Sequence, residues 1–123
     1  MLALILWLVG GLSFILTAAL CPQGQMIVEY PDVELVPSLS GVVRSPANAP
    51  MAGVLVEEFG SDWKTTLRST KTDEKGHFAM TEVKNRKVYF LQFSFRHCNP
   101  IRVRVQVDAE HGKELEIQMV NST

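Results

Sequence analysis

The last third of this chain alternates apolar and polar side chains residue by residue. From Ile101 to Asp108, Ile101, Val103, Val105 and Val107 take one side, and Arg102, Arg104, Gln106 and Asp108 take the other. Val88 to Arg96 repeats the period, with Tyr89, Leu91, Phe93 and Phe95 on one face and Val88, Phe90, Gln92, Ser94 and Arg96 on the other. Leu115, Ile117 and Met119 alternate in the same way with Glu116 and Gln118. A period of two predicts strands with one dry face and one wet face. Upstream, shorter runs separated by turn residues predict four more strands, at Leu39 to Arg44, Ala52 to Phe59, Lys64 to Thr70 and His77 to Thr81. The turns between them carry Ser45 to Pro50, Gly60-Ser61-Asp62 and Thr72 to Gly76, all rich in residues that fix or relax the backbone. Seven short strands and no helical period after residue 20 predict an all-β, seven-stranded antiparallel sandwich.

Residues 1–20 follow a different rule. They hold no charge, and their only polar side chains are Ser13 and Thr17. The first charged side chain is Glu29 and the first Lys or Arg is Arg44. An apolar helix of this length fits either a bilayer span or a secretory signal. Gly10-Gly11 interrupts the run, Thr17-Ala18-Ala19 supplies small residues for cleavage, and no basic flank follows, so a cleaved signal is favoured over a retained anchor. A lipoprotein site at Cys21 is disfavoured because Leu20 before it is not small. The expected organisation is a signal or anchor at 1–20, an extension at 21–38, the sandwich at 39–120 and a tail at 121–123. The domain is expected outside the cytosol, secreted or tethered, with membrane contact only through residues 1–20.

An oxidising route makes the two cysteines, Cys21 and Cys98, a candidate disulfide. The alternative leaves Cys98 as a buried thiol. Asn121-Ser122-Thr123 is a weak glycosylation sequon. The 12 basic and 13 acidic side chains give a net charge of −1 over 123 residues, which offers no footprint for nucleic acid.

Within the strands, the segments Ser40-Gly41-Val42-Val43, Pro50 to Val56, Thr72-Asp73-Glu74-Lys75-Gly76-His77-Phe78, and then Tyr89, resemble the carboxypeptidase regulatory-like domain, here in a small secreted stand-alone form. That resemblance covers roughly Leu39 to Val120. It implies a transthyretin-like sandwich of the carbohydrate-binding-like class. In the family pattern a glycine precedes the tyrosine; here Asn85-Arg86-Lys87 stands instead. Physically, Asp73 is placed to accept hydrogen bonds from turn amides, Gly76 to take positive φ, and Phe78 to plug the core.

No catalytic constellation emerges. Hydrolases that share the fold depend on a Tyr-Arg-Gly-Ser segment that this sequence lacks. His77, His97 and His111 have no paired metal-ligand spacing, and Glu57-Glu58 are adjacent and so face opposite ways. Neither enzyme activity, nor a metal, nor a cofactor is expected. Two surfaces are candidates for binding. Trp63, with Phe59 and Asp62, offers an aromatic plane with polar neighbours that suits a glycan, unless the indole folds back as a lid on the sheet end. Arg96, Arg102 and Arg104 lie on the wet face and suit an extracellular or cell-wall protein. A solvent-open Trp63 flanked by hydrogen-bonding groups favours the glycan; a buried Trp63 on a flat arginine-rich face favours the protein.

Overall fold

The computed structural model describes residues 26–122, and all of its regular structure there is β. The expected N-terminal helix at 1–20, and Cys21 with it, lie outside the described residues. Eleven strands form: β1 (Val28–Glu29), β2 (Glu34–Val36), β3 (Ser40–Arg44), β4 (Leu55–Phe59), β5 (Thr66–Lys71), β6 (His77–Ala79), β7 (Val88–Ser94), β8 (Cys98–Asn99), β9 (Ile101–Val107), β10 (Leu115–Gln118) and β11 (Val120–Asn121).

The larger sheet runs β1-β9-β7-β4-β5, with β2 also paired to β9. A second sheet runs β10-β3-β6, and β11 pairs with β8. The seven strands read from the sequence, three by alternation and four by their bounding turns, are β3, β4, β5, β6, β7, β9 and β10. The count of seven is corrected by β1, β2, β8 and β11, which are two or three residues long and too short to show a period. The expectation of purely antiparallel pairing is corrected as well. β1 and β2 both run parallel to β9, and β10 runs parallel to β3. These strands join their neighbours through long connections, so nothing forces the reversal that a hairpin imposes.

The core lies between the two sheets. Tyr89, Leu91 and Phe93 from β7 and Ile101, Val103 and Val105 from β9 are sealed against Val43, Phe78, Leu115, Ile117 and Met119 from the other side. Phe95, expected among them, falls beyond the end of β7 and is half-buried. The second predicted strand starts late, because Gly53 turns the chain at φ 78° and only Leu55 begins the pairing. Thr72 fastens that turn: its hydroxyl donates to the Met51 carbonyl (2.7 Å) and accepts from the Val54 amide (2.9 Å). Gly41 owes its identity to close packing: a Cβ there would stand 2.7 Å from the Leu115 carbonyl oxygen and 3.0 Å from the Phe78 ring.

The motif loops behave as their chemistry demands. Asp73 Oδ1 accepts from the amides of Lys75 (2.8 Å) and His77 (2.9 Å). Gly76 sits at φ 79°, and Phe78 is buried edge-on against Phe93. Asn85 supplies the left-handed turn before Tyr89 at φ 65°, which is how the chain manages without the family glycine. The Tyr89 hydroxyl then accepts from the Val83 amide (2.8 Å) and donates to the Arg86 carbonyl (2.9 Å).

Candidate functional site

The wet face of the larger sheet carries the site. Strand register lays its side chains out in rows. Phe59 stands opposite Phe90, and Phe90 opposite Arg104. In the next row, Glu57 stands opposite Gln92, and Gln92 opposite Arg102. The segment Val28 to Tyr30 runs alongside β9, held by amides that donate to the carbonyls of Pro100 (2.8 Å) and Arg102 (3.0 Å).

Trp63 reaches this face from the turn between β4 and β5. The ladder slips by one position at Glu58/Phe59. The chain then turns with Gly60 accepting from the Trp63 amide (2.9 Å) and Asp62 Oδ1 accepting from the Lys64 amide (2.9 Å). The turn forces Trp63 to φ 61°. A bulky L-residue there is an outlier with a cost of about 1–3 kcal/mol, and such strain gathers at functional sites. The indole packs edge-on to Phe90 (centroids 5.4 Å apart) and tilted against Phe59 (5.8 Å). The Arg102 guanidinium lies over it, 4.8 Å from the ring centre.

Together these groups line a groove of about 520 Å³ whose walls are Glu29, Tyr30, Pro31, Trp63, Phe90, Arg102 and Arg104. The arginines are oriented by neutral acceptors: Arg102 Nε donates to Gln92 Oε1 (2.8 Å), and an Arg104 terminal nitrogen donates to the Pro31 carbonyl (2.7 Å). The Tyr30 hydroxyl titrates above its ordinary range, first because it is partly buried and second because Glu34 is near. It therefore stays a neutral phenol at physiological pH.

The residues singled out in the sequence divide accordingly. Trp63, Arg102 and Arg104, assigned there to two separate surfaces, share one groove, and Phe59 buttresses the indole from beneath. Asp62 is used by its own turn. Arg96 stands apart and exposed, beside a different concavity near Phe95, Cys98 and Pro100. Tyr30, Pro31 and Phe90 were not singled out, although alternation had already put Phe90 on the wet face, an unusual place for an aromatic. The three histidines form no cluster with other ligands among the described residues; His111 Nδ1 pairs with Asp108 Oδ2 at 3.2 Å. Asn121 is exposed on β11, opposite Cys98 on β8. Cys98 is buried, and burial raises its thiol pKa.

Glu58, weighed in the sequence only as a neighbour of Glu57, is the one carboxylate in the core among the described residues, 1% exposed. Arg68 Nε and an Arg86 terminal nitrogen each reach one of its oxygens at 2.7 Å. Glu57 turns to the opposite face, as adjacency required, so no carboxylate pair forms.

A comparison with curated proteins returns no match. The carboxypeptidase regulatory-like domain matches residues 38–120, about two thirds of the sequence, and it takes in the strands that build the core and most of the groove. The chain belongs to the carboxypeptidase regulatory-like domain family.

Proposed function

We propose that this protein is a non-catalytic binding module, secreted or tethered outside the cytosol by residues 1–20, that takes carbohydrate in the Trp63 groove. The observation that carries the reading is Trp63 itself, held at φ 61° on a groove that also presents Tyr30 and Phe90. Aromatic planes beside oriented hydrogen-bonding groups are what a sugar ring needs. The groove lining holds one carboxylate, Glu29, where acid–base cleavage of a glycosidic bond uses a pair, which favours the non-catalytic reading. A Cys21–Cys98 bridge belongs to the same proposal. β1 lies against Pro100 to Arg102, which brings the start of the described chain near Cys98.

A second reading has some support. Arg102 covers part of the indole, and that suits a protein-interaction face with no small ligand. A glycan array probed with the full chain in a polyoxyethylene detergent decides between them. Saccharides retained by the native protein and lost by Trp63→Gly are the expected result. An array with no retained saccharide removes the carbohydrate reading.

A further inference from the structure

Resting on that reading, we infer that the groove selects acidic saccharides, with Arg102 and Arg104 contacting their carboxylate or sulfate groups. The two arginines are next-but-one on β9 and so project from the same face, about 7 Å apart along the strand. Neither forms an ion pair among the described residues, whereas Arg68 and Arg86 are both matched to Glu58. A guanidinium carries five N–H donors, and the bonds to Gln92 and Pro31 orient each group while leaving donors for a ligand.

Glu29 is the one acidic wall of the groove. Register sets it abreast of Arg102 on β1, yet it makes no salt bridge there. The groove is thus locally positive in a chain whose net charge is −1, and its charge is not an overflow from a basic surface. Charge alone would equally admit an acidic polypeptide. The rings of Tyr30, Trp63 and Phe90 favour a ligand with flat apolar ring faces between its anionic groups, which is an acidic sugar chain.

The test titrates the full chain, in polyoxyethylene detergent, with tri-galacturonic acid, with neutral galactotriose and with hexaglutamate. Tri-galacturonic acid should bind at least about tenfold more tightly than galactotriose, since charge-assisted bonds of this kind are each worth a factor of that order. Added salt should erode that advantage. Arg102→Gln and Arg104→Gln should each remove about tenfold from the acidic trisaccharide and distinctly less from the neutral one, with Arg104→Lys restoring part of the loss. A cooperative thermal unfolding transition like that of the native protein shows that the variants are folded. Equal affinity for the two trisaccharides overturns the acidic preference while leaving the carbohydrate site standing. Binding of neither overturns both, and tighter binding of hexaglutamate identifies an acidic polypeptide as the occupant and overturns the inference.

Discussion

The guanidinium of Arg102 lies 4.8 Å from the centre of the Trp63 ring, although one residue stands on β9 and the other in the turn after β4. This contact makes Trp63 neither a free platform nor a buried lid. Its backbone strain and its side-chain packing oppose one another, and substitution separates them. At φ 61°, glycine is at ease and alanine is not. Trp63→Gly should therefore be more stable than Trp63→Ala by about 1 kcal/mol, the reverse of the usual order in strands. Urea denaturation of the two variants checks this. Alanine equal to or better than glycine would mean that position 63 is not held left-handed.

Glu58 supports a second prediction, about stability. It is 1% exposed and shared between Arg68 and Arg86, while two guanidinium nitrogens, one from each arginine, are buried without a partner. Removing the carboxylate leaves two cations facing each other across a poorly solvated space. Glu58→Ala should cost about 3–5 kcal/mol, the range for breaking a buried pair from one side. Arg68→Ala or Arg86→Ala should cost less, because the other arginine still neutralises Glu58 and both side chains are partly exposed. Thermal unfolding of the three variants should rank Glu58→Ala lowest. Loss of either arginine matching or exceeding it would show that the carboxylate is not the centre of the cluster.

Asp73 gives a pH-dependent prediction. Amide hydrogen bonds, that from His77 first and that from Lys75 second, hold its carboxyl below the ordinary range. A depressed native pKa means that the ionised form stabilises the fold. That stability is present above the unfolded value of about 3.9 and is lost as pH falls through the lower native value. Asp108, depressed chiefly by the His111 amide, acts in the same direction. Asp73→Asn should lower stability most at neutral pH, where the ionised carboxylate contributes in full, and least at acid pH, so that the decline below about pH 4 becomes shallower. An acid limb identical to the native one would show that Asp73 takes no part in it.

Much of this fold was legible because β7, β9 and β10 are long enough for the period of two to appear, and the buried residues on β7 and β9 follow it from Tyr89 through Val105. β1 and β2 were illegible for the opposite reason: Val28-Glu29 and Glu34-Leu35-Val36 pair through backbone amides that any sequence provides. The sequence shows Gly41 only as part of Ser40-Gly41-Val42-Val43, since only the structure reveals Leu115 and Phe78 crowding the place where its Cβ would be. The groove was half visible. Alternation placed Arg102 and Arg104 outward, and turn residues placed Trp63 at a bend. Their meeting depends on the one-position slip at Glu58/Phe59 and on the chain's return from β4 through β7 to β9, and neither leaves a local pattern.

The hairpin from Thr72 to Phe78 gives the last prediction, because it joins the family motif to the core. Gly76 needs positive φ, and a Cβ there would also stand 2.5 Å from the Val43 carbonyl oxygen. That oxygen cannot retreat easily, since it accepts from the Met51 amide (3.0 Å), while the Val43 amide in turn donates to the Gly76 carbonyl (2.8 Å). Gly76→Val should therefore exceed the about 1–2 kcal/mol of a left-handed penalty alone. Phe78→Ala removes a ring packed on Phe93 and opens a cavity, at about 3–5 kcal/mol. Lys75 contributes its backbone amide to Asp73, and its exposed side chain has no such role, so Lys75→Ala should change stability by less than about 0.5 kcal/mol. Chemical denaturation of the three variants reads the contrast directly. Three small and equal effects would mean that the motif does not anchor the sandwich, whereas two large losses beside an unchanged Lys75→Ala would mark it as structural, leaving ligand contact to the Trp63 groove.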